Sequence, residues 1–104
     1  MALLESHKKL FHDECSRLML VILGNIQKLD KNPTDLDTIE SVVNLADVVR
    51  GDAKFLEYVE LEQTAKMIVE LFTGMKDIRK RQREFDAVKE HFGRLEKTFF
   101  LSLG

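Results

Sequence analysis

The sequence is poor in the residues that bend or cross-link a chain. Its 104 residues include one proline, five glycines and one cysteine. So few turn-forming residues exclude a β-sandwich, whose many short strands need a turn signal between each pair. The single cysteine, Cys15, excludes an intrachain disulfide framework and is typical of a protein from a reducing compartment.

Long hydrophobic runs and a large excess of one charge are also absent. The longest apolar run spans residues 18–23, whereas a helix needs about 20 apolar residues to cross a bilayer. Residues 1–9 lack the basic-then-apolar order of a secretory signal. The net charge of −2 gives no reason to expect nucleic acid or a membrane as a partner. We therefore expect a cytoplasmic protein, or a cytoplasmic domain of a longer one.

The residues that are present are typical of a folded helical domain. Apolar residues make up 44% of the chain and charged residues 33%, which excludes a disordered segment. A chain of this length can bury a substantial core but is short for two domains. We expect residues 1–104 to form a single domain.

Apolar residues recur in four stretches with the spacing of one helix face. The predicted inward-facing residues are Leu4, Phe11, Cys15, Leu18, Ile22, Ile26 and Leu29 in the first stretch, Leu36, Ile39, Val43, Ala46, Val49 or Arg50, Ala53 and Leu56 in the second, Leu61, Ala65, Ile68, Phe72 and Met75 in the third, and Ile78, Phe85, Val88, Phe92, Leu95, Phe99 and Leu103 in the fourth. Four amphipathic helices with short connections predict an all-α fold, an antiparallel up-and-down four-helix bundle.

Local signals mark where these helices begin and end. Asn32 and Pro33 end the first helix, because asparagine tolerates the left-handed cap and proline cannot continue a helix. Thr34 or Asp35 can cap the second helix, which is rich in acidic residues near its start. The third helix is expected to run from about residue 59 to Gly74.

The charges are unevenly distributed along the chain. Residues 30–62 contain nine acidic and three basic residues, whereas residues 76–83 contain five basic residues and one acidic residue. The basic run could bind phosphate or nucleic acid, or it could be an ordinary solvated loop or helix start.

Motifs for catalysis and metal binding are missing. The sequence contains no glycine-rich phosphate loop, no nucleophile elbow and no HExxH motif. His12 and Cys15 share a helix face but supply only two of the three or four ligands that zinc needs. We expect no metal, no cofactor and no enzymatic activity, with His7, His12 and His91 at the surface or its boundary and Cys15 in the core.

Residues 39–72 carry a resemblance to a known family. Ala46, Val49, Arg50, Gly51 and Ala53 match a helical motif written roughly A-H-x-L-K-G-x-A. Leu56, Tyr58, Leu61, Ala65, Ile68 and Glu70 follow the pattern of the segment after it. In these positions the chain resembles the histidine phosphotransfer (HPt) family, and in particular the phosphotransfer domain of chemotaxis-type histidine kinases. The resemblance covers roughly residues 10–72 and implies an HPt-like four-helix bundle.

One departure from the family pattern concerns its chemistry. The phosphoacceptor histidine of the family falls at Asp47, which cannot form phosphohistidine. An aspartyl phosphate would need a magnesium-binding acidic cluster, which a single carboxylate beside Arg50 does not supply. The sequence therefore resembles an HPt domain that has lost phosphoryl transfer, a pseudo-HPt domain.

The resemblance also implies a docking surface on the second helix. In the family, the residue at the Arg50 position helps to hold phosphate and the glycine at the Gly51 position lets a partner approach closely. The residues that we assign to partner binding are Asn44, Asp47, Val48, Arg50, Gly51 and Lys54. The implied partner is a response-regulator receiver domain or a histidine kinase domain of a two-component, phosphorelay or chemotaxis pathway, with a homodimer left open.

Two other functions remain open from the sequence. A receiver phosphatase could use Asp47 or Asp52 to orient an attacking water, although these residues point about 140° apart on a helix. A structural or dimerisation bundle with an unrelated protein partner would be favoured by apolar residues outside the core. Candidates for such residues are Leu20, Leu23, Phe100 and Leu101. The Asp47–Arg50 pair could equally be an exposed ion pair without a role.

Overall fold

A computed structural model describes the backbone of residues 2–101 and the side chains of residues 7–98. The chain forms four α-helices, α1 (Ala2–Lys31), α2 (Leu36–Phe55), α3 (Val59–Phe72) and α4 (Gln82–Leu101), with a 3₁₀ turn at Ile78–Arg81 before α4. Within residues 2–101 there is no strand. No helix in this part of the chain is long and apolar enough to cross a membrane.

The helices pack in a ring in which α1 contacts α2, α2 contacts α3, α3 contacts α4, and α4 returns to α1. Short connections make sequential helices antiparallel. The predicted all-α four-helix bundle is therefore confirmed.

The connection between α1 and α2 is built from the predicted boundary residues. The Asn32 N–H donates to the Lys28 carbonyl (2.9 Å), and Pro33 follows. Asp35 caps α2, because its carboxylate accepts hydrogen bonds from the backbone N–H (3.3 Å) and the hydroxyl (2.9 Å) of Thr38. These hydrogen bonds lower the pKa of Asp35, since they stabilise the charged form.

The loops at this end of the bundle are joined to one another. The Ile78 N–H donates to the Pro33 carbonyl (3.0 Å), and Lys89 of α4 lies 3.1 Å from Asp30 of α1. Gly74, with a φ of +77°, supplies the left-handed turn after α3. The connection from α3 to α4 is thereby held against the end of α1.

The connection between α2 and α3 has no glycine or proline. Glu57 occupies the left-handed region with a φ of +62°. The Glu57 N–H donates to the Lys54 carbonyl (3.1 Å), and the Tyr58 N–H donates to the Ala53 carbonyl (2.9 Å). This pair of hydrogen bonds is a Schellman motif, in which glycine is the usual residue at the Glu57 position.

The core runs along the inner faces of all four helices. Its fully or nearly buried apolar residues are Cys15, Met19, Ile22, Ile26, Leu29, Ile39, Val42, Ala46, Val49, Ala53, Leu61, Ala65, Ile68, Phe72, Ile78, Phe85, Val88 and Phe92. Most of them were predicted from periodicity. Leu4, Phe99 and Leu103 lie outside the residues whose side chains are described.

The predicted buried face of α2 is wrong at Leu36 and lacks Val42, whereas Val43 packs partly against the core as predicted. Leu36 is 55% exposed, because the first turn of α2 lies at the end of the bundle where no neighbouring helix covers it. Val42 is buried, whereas its predicted neighbour Val43 is only half-buried. The sequence left open whether Val49 or Arg50 faces the core. In the structure Val49 is buried and Arg50 is exposed.

Candidate functional site

One side of α2 carries the residues that were assigned to partner binding. We call Asn44, Asp47, Val48, Arg50, Gly51 and Lys54 the α2 face, and all six are exposed. They lie together because spacings of three, four and seven residues place side chains on one side of a helix. The structure therefore brings the six residues to one surface, while their role in binding stays a prediction.

An ion pair occupies the centre of the α2 face. The Arg50 Nη2 atom lies 2.6 Å from the Asp47 Oδ1 atom, and the two side chains are 46% and 55% exposed. Such an exposed pair contributes about 0.2–0.5 kcal/mol to helix stability. Asp47 and Arg50 therefore partly neutralise each other while both stay accessible to a partner.

Next to the ion pair the surface has a gap. Gly51 is exposed, and a Cβ atom at this position would meet no atom within 4 Å. The internal packing of the bundle therefore does not require a glycine here. What the missing side chain provides is free space above the helix backbone, into which a partner could approach.

An apolar rim lies beside Gly51, and of its residues Val48 was assigned to partner binding from the sequence whereas Phe55 was missed. Val48 is 46% exposed and Phe55 is 41% exposed. The Phe55 ring packs against Phe11 of α1, with the ring centroids 4.4 Å apart. The spacing could have revealed Phe55, since it follows Gly51 by four residues and Val48 by seven. The α2 face thus combines a charged pair, a gap and an apolar rim shared with α1.

The histidines lie away from the α2 face. His7 is exposed, and His91 is half-buried with its Nε2 atom 3.7 Å from Glu60 Oε1. His12 is buried, with its ring edge-on to Tyr58 at 6.4 Å. The expectation that His12 lies at the surface is therefore wrong. The buried stripe of Cys15 and Met19 continues one turn further to His12, which is the signal that could have placed it.

Cys15 lies in the core as predicted. Burial, together with the nearby carboxyl groups of Asp52 and Glu14, raises the pKa of the Cys15 thiol to about 12. No cluster of three or more metal-ligating side chains occurs in the described part of the chain.

Asp52 is buried, which removes it as a candidate water-orienting residue in the phosphatase alternative. Its exposure is only 6%, because it lies beside Ala53 and three residues after Val49 on the inner side of α2. A side chain in this position cannot orient a water molecule on the exposed face. Of the two candidates for that role, only Asp47 is accessible.

The basic run lies in the solvated connection before α4 and in its first turn. Asp77 caps the 3₁₀ turn and accepts hydrogen bonds from Arg79 Nε (2.9 Å) and Nη2 (2.7 Å). Hydrogen bonds from the Arg79 side chain and backbone lower the pKa of Asp77 to about 2. Arg79 is thus paired within the loop, while Ile78 is buried as part of the core.

Comparison with known proteins shows a similarity between this chain and part of a chemotaxis protein. The chain is similar to the chemotaxis protein CheA of Borreliella burgdorferi, with 25% identity over 67 residues. The matched region covers 64% of this chain and only 8% of that protein. No family model matches the chain. No solved structure matches it either.

Proposed function

We propose that this domain is an HPt-like interaction module of two-component or chemotaxis signalling. It binds a receiver or histidine kinase domain and does not accept phosphate. The observation that carries the proposal is the exposed Asp47–Arg50 pair beside Gly51, at the place where the HPt pattern has its phosphoacceptor site. The similarity to a chemotaxis protein supports the same pathway class.

The loss of transfer follows from the side chain at position 47. A phosphotransfer histidine attacks a phosphoryl group through an imidazole nitrogen, and α2 contains no histidine. Aspartyl phosphate formation would need a divalent cation held by several carboxylates. The carboxylate of Asp47 is instead paired with a guanidinium group.

Partner binding does not require the nucleophile. Binding energy at such a surface comes mainly from shape and from burial of a few apolar anchors. Here Val48, Phe55 and Phe11 supply apolar area, and Gly51 supplies clearance. The carboxylate of Asp47 would repel the acidic pocket of a receiver, so we propose a docking pose shifted away from that of productive transfer.

A titration of the isotope-labelled chain with candidate receiver and kinase domains tests the proposal. We expect backbone amide shifts to cluster on residues 44–55 and on the neighbouring part of α1. Arg50→Glu should weaken binding of an acidic partner, and more strongly at low salt, where exposed charges are less screened. Arg94→Glu, which reverses an exposed charge on α4, serves as the matched control.

A bundle with an unrelated partner is the second candidate. Leu20 is 53% exposed and the adjacent Val21 is also exposed, whereas Leu23 packs partly against the core. Phe100 and Leu101 lie outside the residues whose side chains are described. This alternative would be favoured, and the first proposal contradicted, by amide shifts confined to residues 17–24 or to the basic run 76–83. The absence of shifts with any receiver or kinase domain would have the same meaning.

A further inference from the structure

A buried carboxyl group lies at the α1–α2 interface, behind the α2 face. The Oδ2 atom of Asp52 is buried and has no hydrogen-bond partner. An unpaired charge in such a place is costly, since the interior solvates it far less well than water. A buried carboxyl group without a nearby cation therefore favours the protonated form.

The group that faces Asp52 from α1 is another carboxyl. The contact between the Phe11 and Phe55 rings sets the register of α1 and α2, and it brings Glu14, three residues after Phe11, level with Asp52, three residues before Phe55. The buried Cys15 follows Glu14 in the chain. Two carboxylates cannot hydrogen-bond to each other, because neither has a proton to donate. A hydrogen bond between the two groups requires one of them to be protonated.

In the described part of the chain, no salt bridge joins Asp52 or Glu14 to a lysine or arginine. All lysines and arginines on the described parts of α1, α2 and α3 are exposed. On α3, Glu60 and Glu70 are exposed and Glu62 is half-buried. His12, the buried titratable group one turn before Cys15, packs its ring against Tyr58.

The pair lies next to the apolar rim of the α2 face. Phe11 is three residues before Glu14 and Phe55 is three residues after Asp52, so their ring contact lies one helical turn from the carboxyl pair. A change in the spacing of α1 and α2 at the pair would therefore also move the rim.

We propose that the buried carboxyl group of Asp52 keeps its proton in the folded chain and shares it with the Glu14 carboxylate through a hydrogen bond across the α1–α2 interface, and that loss of this proton from Asp52 loosens the packing of the two helices behind the α2 face. In the protonated state, one carboxyl O–H donates to the other carboxylate. When the proton passes to solvent, two carboxylates face each other and repel. The consequence for partner docking rests on the proposed function, whereas the shared proton does not.

The direction of the pH dependence follows from the folded state. Burial, and then the hydrogen bond and charge of Glu14, raise the pKa of Asp52 from 3.8 to about 6. The folded chain therefore binds this proton more tightly than the unfolded chain. The resulting stability is fully present below pH 3.8 and is lost as the pH rises through about 6. The difference corresponds to about a hundredfold change in the unfolding equilibrium constant.

The test follows the carboxyl carbons of the full chain by NMR from about pH 3 to about pH 8, with thermal unfolding over the same range. We expect Asp52 to titrate near pH 6 and the unfolding temperature to fall as the pH rises from about 5 to about 7.5. Asp52→Asn should remove this part of the pH dependence and raise the unfolding temperature at about pH 7.5. Asp86→Asn, at an exposed position on α4, is the matched control.

A second variant separates the shared proton from simple packing. Glu14→Gln provides an amide N–H that can donate to the Asp52 carboxylate, so Asp52 should titrate at a lower pH than in the wild type. Amide protection, corrected for intrinsic exchange, should fall with rising pH more in residues 11–18 and 48–55 than in α3. Each of three results would overturn the proposal. Asp52 could titrate together with the exposed aspartates, the pH dependence of the unfolding temperature could be unchanged in Asp52→Asn, or the pH could change amide protection equally in all helices. These readouts use the chain alone, so their failure is distinguishable from a failure to bind signalling partners.

Discussion

Under the proposed function, the side chain at position 47 determines which chemistry the α2 face can perform. The ion pair with Arg50 and the open space at Gly51 do not depend on a nucleophile. An imidazole at the same place could attack a phosphoryl group, but a paired carboxylate cannot. Exposed positions within a helix tolerate substitution, because they bury little surface. Position 47 is therefore the place to test whether the rest of the face still suits phosphoryl transfer.

We expect Asp47→His to accept a phosphoryl group from a kinase or a phosphorylated receiver, whereas the wild type does not. Stability should change by less than about 0.5 kcal/mol. The measurement is incorporation of labelled phosphate, followed by acid and base stability of the label. Asp47→Asn is the control, since it breaks the same ion pair without adding a nucleophile. A stable, stoichiometric label on the wild type would contradict the pseudo-HPt proposal.

Cys15 illustrates how burial suppresses the reactivity of a side chain. Because burial raises the pKa of this thiol to about 12, almost no thiolate forms at neutral pH. We expect a thiol reagent to modify the native protein at least about a hundredfold more slowly than the denatured protein. The measurement is the modification rate with and without denaturant. Equal rates would show that the α1–α2 interface opens freely.

At the scale of elements, the two ends of α2 differ in how well their sequences suit their backbones. Asp35 is a favourable N-cap residue with both of its hydrogen bonds in place. Glu57, at the other end, is held in the left-handed region, which costs a residue with a Cβ about 1–2 kcal/mol. It also brings negative charge close to the negative end of the helix dipole.

Glu57→Gly should therefore stabilise the bundle by about 0.5–1 kcal/mol, because glycine adopts this conformation freely but costs more entropy on folding. Denaturant unfolding measures the effect. Glu57→Ala is the control, because it removes the charge but retains the Cβ atom. If both variants change the free energy of unfolding equally, the charge of Glu57 rather than its backbone conformation reduces the stability of this turn.

At the scale of the whole molecule, aromatic residues join the short α3 to α4. The rings of Phe72 and Phe85 are fully buried and meet edge to face, with their centroids 5.9 Å apart. Edge-to-face aromatic pairs add to the stability that burial alone provides. This contact lies at the end of α3 where the chain turns towards α4, so it holds the last helix in the ring.

Phe72→Ala should lower the free energy of unfolding by about 3–5 kcal/mol, a large share of the roughly 5–15 kcal/mol typical of a domain. Met67→Ala, on the same helix and 54% exposed, should cost less than about 1 kcal/mol. Both are measured by denaturant unfolding. Similar losses in the two variants would contradict the packing of α3 described above.

The start of α4 at Gln82, after a 3₁₀ turn that includes Ile78, and the turn after α2, which has no glycine or proline, were not predicted. What could be predicted is the number and order of the helices and the ends of α1 and α3. These features depend on local rules, namely the 3.6-residue apolar period, the cap at Asp35 and the breaks at Pro33 and Gly74. The same periodicity placed the six residues of the α2 face on one side of one helix. A role of these residues in binding stays a prediction.

Which side chains the neighbouring helices cover depends on how the four helices pack together. Leu36 fits the apolar period and is exposed, because the bundle ends there. His12 and Asp52 are polar and buried, because α1 and α2 pack closely along their flanks as well as along their apolar stripes. The proposed hydrogen bond between Asp52 and Glu14 would join residues far apart in the chain, and the register of two helices determines whether it can form. Local patterns contain no information about that register, so only the packed bundle shows the carboxyl pair.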